Sequence, residues 1–187
     1  EKEVEPKVFD GKQLLRYLYE RDAYRSFAYM WDKLYRKELM VREDGELICF
    51  DESMKLGGDV VYLAECALNT KKAVYLDKAF YHYVQRENSG CHLPDLERKQ
   101  DNIRAYEIVS DKFAKLGVEA FVQDLIKRIL VYHSSYAAEI AYEQKNQKLL
   151  KKFQEIMRRY EKEYRRLNAG KTEWLLRFEE ILTYHIE

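Results

Sequence analysis

Apolar residues recur every three or four positions through most of the second half of the chain, and this spacing predicts helices. Ile103, Tyr106, Val109, Phe113 and Leu116 line one stripe, which Gly117 closes. From Val118 a wider stripe runs through Phe121, Val122, Leu125, Ile126, Ile129, Leu130, Tyr136 and Ile140, predicting a central, more buried helix. Leu149, Leu150, Phe153, Ile156, Met157, Tyr160, Tyr164 and Leu167 form a third, with Asn168-Ala169-Gly170 as its C-terminal cap. Thr172 suits the N-cap of a fourth, which carries Trp174, Leu175, Phe178, Ile181 and Leu182. Such helices, joined by short connections, bury their stripes against one another, so residues 94–187 read as a bundle of about four helices.

The pattern changes at Pro94. Before it, helical spacing covers Gly11–Glu20, Ser26–Leu39 (through Phe27, Met30, Trp31, Leu34 and Leu39) and Asp59–Leu68. Leu47–Phe50 follows the turn signal Asp44-Gly45 and reads as a strand; Ala73–Leu76 and Phe80–Val84, rich in β-branched and aromatic residues, read as two more. Three short strands are too few for a sheet covered by helices on both faces. Residues 1–93 therefore read as the end of an α/β domain whose beginning is absent. The expected fold is an incomplete α/β unit followed by a helical bundle, predominantly α.

Composition supports the helical bias. Seven glycines and two prolines make up about 5% of the 187 residues, against ~12% in average composition. Charges balance at 33 basic and 33 acidic residues, which argues against bulk nucleic-acid binding. No apolar run approaches the ~20 residues of a membrane helix, and the N-terminus lacks a signal pattern. Cys49, Cys66 and Cys91 are odd in number and widely spaced, as expected of reduced thiols. The expectation is a soluble, cytoplasmic chain.

Three segments carry candidate chemistry. They are Trp31-Asp32-Lys33-Leu34-Tyr35-Arg36-Lys37-Glu38-Leu39, then Phe50 followed by Gly57-Gly58-Asp59-Val60-Val61-Tyr62, and then residues 72–89, which end in Arg86-Glu87-Asn88-Ser89. In this order and spacing, over residues 10–90, they resemble the acceptor-side half of family-2 glycosyltransferases with the Rossmann-like GT-A fold. The resemblance is to bacterial enzymes that build capsule, exopolysaccharide or lipopolysaccharide. It implies an inverting transfer of a sugar, of hexosyltransferase type, from a nucleotide-sugar to a hydroxyl of a glycan or lipid-linked acceptor. It assigns residues 1–93 to the C-terminal half of a GT-A domain and 94–187 to a helical extension.

The resemblance gives Asp59 the role of general base, and a carboxylate in a first helical turn suits the positive end of the helix. Read from the residues alone, Asp59 is an N-cap after a diglycine turn. Gly58 departs from the family, which usually has glutamate there. Arg86, Asn88 and Ser89 match the loop that closes on the donor pyrophosphate, where a guanidinium fork fits phosphate oxygens; the bland alternative for Arg86 is an exposed residue leaving a hairpin. Trp31, Asp32 and Lys33 fall on a predicted helix on the acceptor side. For Trp31 core packing is the stronger expectation, and Asp32 and Lys33 either contact a polar acceptor or face water.

The resemblance also implies magnesium or manganese, held by an Asp-x-Asp motif after an apolar strand. None of the eleven aspartates here has another two positions away. Asp44-Gly45-Glu46 falls in a turn and Glu20-Arg21-Asp22 in a helical segment, so neither replaces it. The chain is thus expected to be part of a longer enzyme, to bind no metal itself and to be inactive alone. A zinc site from His82, Cys91 and His92 is disfavoured because the last two are adjacent. Residues 143–167 hold nine Lys or Arg against four Glu, a basic helix suited to an anionic membrane surface. Solvated i, i+4 pairs, Glu155 with Arg159 and Glu161 with Arg165, explain the same face. The alternative function is a non-catalytic helical interaction module derived from such an enzyme, for which a homo-oligomer is expected.

Overall fold

A reciprocal pair of hydrogen bonds starts the first helix. The Asp10 side chain accepts the Gln13 amide N–H at 2.8 Å, and the Gln13 side chain accepts that of Asp10 at 3.0 Å. This capping box sets the beginning of α1 (Gly11–Glu20). The protein is described from a computed structural model over residues 4–20, 25–84 and 93–186, the side chains of 25 and 26 excepted. Before α1 lies a strand the hydrophobic pattern did not predict, β1 (Lys7–Asp10). It pairs antiparallel with β2 (Lys72–Tyr75), Lys7 opposite Tyr75 and Asp10 opposite Lys72. Two strands are marginal alone. Phe9 helps hold them by packing edge-on against Tyr17 (5.0 Å) and Phe27 (5.7 Å). A Cβ at Gly11 would lie 2.1 Å from the Thr70 carbonyl oxygen, so only glycine fits where α1 begins.

Helix α2 (Gly58–Asn69) lies where the pattern placed one. The predicted helix over 26–39 does not form. Two short 3-10 turns, Arg25–Ala28 and Lys37–Met40, flank a bend at Met30–Asp32 and irregular backbone over 33–36. Met30, Tyr35 and Met40 all pack against the buried cluster of Ile48, Tyr62 and Cys66. Residues five apart on a helix point about 140° away from each other, so one continuous helix could not deliver all three. The Asn69 side chain stabilises the irregular course by donating to the carbonyls of Leu39 (3.1 Å) and Val41 (3.0 Å). The expected strand at 47–50 reduces to one bridge, Val41 with Leu47, across the turn at Gly45. Residues 80–84 join no sheet among the described residues.

Five helices follow Pro94: α3 (Leu96–Lys115), α4 (Ala120–Glu143), α5 (Gln147–Arg159), α6 (Glu161–Leu167) and α7 (Thr172–Thr183). Asp95 caps α3 by accepting the N–H groups of Glu97 and Arg98, and Asn146 caps α5 through that of Leu149. Helix α4 packs against α3, α5, α6 and α7, and its Leu125, Ile126, Leu130 and Val131 are fully buried. The predicted third helix is two. Backbone at Tyr160 (φ −113°, ψ 19°) leaves helical geometry, with Arg158 and Arg159 ending α5 and Glu161 and Glu163 opening α6. Those charges suit a helix C-terminus followed by an N-terminus. Thr172 is the first residue of α7 and not its cap, which is Lys171.

The chain divides into two compact units, Glu1–Glu52 with Gly58–Leu93, and Ser53–Gly57 with Pro94–Glu187. In the second unit the Lys55 amide donates to the Asp101 carboxylate at 2.8 Å and its ammonium to Glu97 at 2.5 Å, strapping residues 53–57 to α3. Overall the protein is mostly helical with a single small sheet.

Candidate functional site

The site is built around the start of α2. Gly57 takes φ +94°, and a Cβ there would lie 2.8 Å from that of Ala105 and 3.0 Å from the Asn102 Cα. Glycine is therefore required by conformation and by space. Gly58 differs: a Cβ would meet Phe50 Cδ1 at 3.5 Å and the Asp51 carbonyl oxygen at 3.8 Å, ordinary contacts. The position where the resembled family has glutamate has room for a side chain. Asp59 is the second residue of the helix, not its N-cap. Its carboxylate is exposed and accepts the Val60 N–H at 3.0 Å.

One turn later Tyr62 turns inward. Phe50 stacks on it with centroids 4.6 Å apart and planes 1° from parallel, and Tyr35 meets it edge-on at 6.5 Å. Tyr35 reaches this cluster from the 29–36 segment, so that segment is anchored on the helix that carries Asp59. The Tyr35 hydroxyl is buried without a hydrogen-bond partner, and burial, with Cys66, Asp32 and Tyr62 adding to it, raises its pKa far above the usual phenol range. Burial raises the Cys66 thiol as well.

Trp31 is not a core residue. It sits in the bend, 37% exposed, and stacks with Tyr29 (5.1 Å), Tyr81 (4.5 Å) and Tyr83 (5.1 Å), all three also exposed. Asp32 and Lys33 neither lie on a helix nor simply face water. The Lys33 ammonium pairs with Asp32 at 2.5 Å, donates to the Tyr29 carbonyl and lies 5.8 Å from the Phe27 ring. Burial lowers the Lys33 pKa, and the bond to Asp32 opposes that shift. The pair thus ties the bend that presents Trp31. The pattern of apolar positions placed Tyr81 and Tyr83 in a strand and gave Tyr29 no role. Tyr81 and Tyr83, two residues apart, were the one available signal, since that spacing puts two rings on one side of an extended chain.

Arg86, Asn88 and Ser89 lie outside the described residues, as do Cys91 and His92. Among the described residues no three His, Cys, Asp or Glu side chains could hold a metal ion, and the sequence contains no Asp-x-Asp. No described helix is long and apolar enough to cross a membrane. Comparison with protein-family models, with curated proteins and with solved structures finds no match for this chain.

Proposed function

We propose that this chain supplies the acceptor-side part of an inverting glycosyltransferase of bacterial surface polysaccharide synthesis. The donor is a nucleotide-sugar and the acceptor a hydroxyl of a glycan or lipid-linked saccharide. The observation that carries the reading is the Tyr35–Tyr62 contact, which anchors the segment presenting an exposed aromatic stack to the helix presenting an exposed carboxylate. A pyranose offers apolar C–H faces that pack on aromatic rings, so Trp31 and its tyrosine neighbours suit an acceptor sugar. Asp59 then takes the proton of the attacking hydroxyl. The new bond joins the acceptor oxygen to the anomeric carbon, the bond from that carbon to the donor phosphate oxygen breaks, and the nucleoside diphosphate leaves with the electron pair. Arg86, with Asn88 and Ser89, closes on that diphosphate in this scheme. The resemblance implies a divalent metal held by an Asp-x-Asp motif, which this sequence does not contain.

Two substitutions in the complete enzyme test the assignment. Asp59→Asn is expected to lower kcat by about 10²–10⁴-fold, the usual contribution of a general base, with the acceptor KM little changed. Full transfer by that variant would remove Asp59 from the chemistry. Trp31→Ala is expected to raise the acceptor KM with a smaller effect on kcat; an unchanged KM would remove the stacking role.

A further inference from the structure

The cations around α6 and those on α5 differ in their surroundings. Around α6 most are neutralised: Lys127 by Asp124 and Glu163, Arg165 by Glu161 and Glu179, Arg166 by Asp124, Arg177 by Glu139. Those on α5 are not. Lys148, Lys151, Lys152, Arg158 and Arg159 are all exposed, with Glu155 the one acid in the helix. Lys152 and Arg158 make only long bonds of 3.4 Å to Gln100 and to the Leu182 carbonyl, and Arg159 lies over the Tyr160 ring at 5.9 Å. Exposed Lys145 and Lys162 extend the stripe beyond both ends of the helix. The expected Glu155–Arg159 pair does not form among the described residues, whereas Glu161–Arg165 does, at 2.7 Å.

The opposite face of α5 is already occupied. Leu150, Phe153, Ile156 and Met157 are buried, and the helix packs on α4. Residues 143–167 therefore cannot act as an inserted amphipathic helix, because no apolar face is free to enter acyl chains. What remains is a row of five unneutralised cations broken by one carboxylate, spanning about 16 Å along α5, with Lys145 and Lys162 beyond its two ends.

We propose that this face of α5 docks the protein on an anionic phospholipid surface by charge alone, without insertion. A flat, fluid layer of phosphate headgroups complements a straight stripe of long, flexible cations. Four to eight such residues in a cluster is the density at which anionic lipid recognition is seen. Nucleic acid fits less well: the chain as a whole is neutral, and the exposed positions of α5 carry no ring on which a base could stack. The inference does not rest on the transferase reading, because it is measured on the chain itself and needs no donor or acceptor.

The test is co-sedimentation with vesicles of equal parts phosphatidylglycerol and phosphatidylcholine, against pure phosphatidylcholine. Binding is expected only to the anionic vesicles and to weaken as salt is raised. The combined variant Lys148→Gln, Lys151→Gln and Arg159→Gln is expected to bind about a hundredfold more weakly, at roughly fivefold per cation near an anionic surface. Its far-UV circular dichroism should be unchanged, since these side chains hold no structural ion pair. Glu155→Gln is expected to bind more tightly than the parent. Equal binding to both vesicle types, undiminished binding by the triple variant, or ready displacement from anionic vesicles by duplex DNA would each overturn the proposal.

Discussion

The two adjacent glycines before Asp59 make opposite demands. Gly57 is fixed by its left-handed backbone and by α3 against it, so Gly57→Ala is expected to cost at least about 2 kcal/mol in urea unfolding. Gly58 is not fixed. Gly58→Ala should be neutral or stabilise by about 0.5–1 kcal/mol, because the unfolded chain loses freedom and nothing in the fold is displaced. Gly58→Glu should fold equally well, so any change it brings to the proposed transfer in the complete enzyme reads chemistry and not folding. Tyr35 is the other residue whose neighbours set its behaviour. Its hydroxyl is buried and unsatisfied, so Tyr35→Phe should be neutral or stabilise by about 1 kcal/mol. A phenol whose pKa is raised by folding adds stability that is fully present below its unfolded value near 10 and is lost as pH climbs above it. Alkaline unfolding followed by tyrosinate absorbance should therefore begin above pH ~10, and Tyr35→Phe should move its midpoint upward. An unmoved midpoint would mean that other phenols set it, since burial raises Tyr62, Tyr164 and Tyr184 as well.

At the scale of elements, periodicity succeeded where one helix buries one stripe and failed where the chain must change direction. The stripe of α4 and the buried face of α2 were legible because each packs along its length. The segment from Phe27 to Leu39 has helical spacing too, yet Met30, Tyr35 and Met40 serve a single cluster that no helix could reach with all three. Trp31 followed from that error: on a helix it would be core, in a bend it is exposed. Its partners Tyr81 and Tyr83 lie some fifty residues away, and a local pattern does not see them. A buried amide shows the same limit. Gln154, 5% exposed in the middle of α5, donates at 2.9 Å to the carbonyls of Ile181 and Tyr184 and so secures the end of α7. Gln154→Leu should cost about 1–3 kcal/mol by leaving that turn unsatisfied. A loss under half a kcal/mol would show that water serves those carbonyls as well.

The whole molecule is less simply arranged than a chain cut once. The composition change at Pro94 is visible in the sequence, but residues 53–57 belong to the helical unit as well, and a five-residue strap has no period to betray it. Its membership depends on Lys55, Gly57 and their partners Glu97, Asp101, Asn102 and Ala105 on α3. During vectorial synthesis the strap emerges before the helix it must grip, at ~5–20 residues per second. The intervening 36 residues, Gly58–Leu93, form a loop that has to close before the grip is made, at an entropic cost that rises only slowly with length. Because both Lys55 bonds are exposed, the latch should be among the first contacts to open. The Lys55 amide, bonded to the Asp101 carboxylate at an exposed position, offers a clock for it: its hydrogen should exchange sooner than those of α4, marking an early step on the way out of the native state.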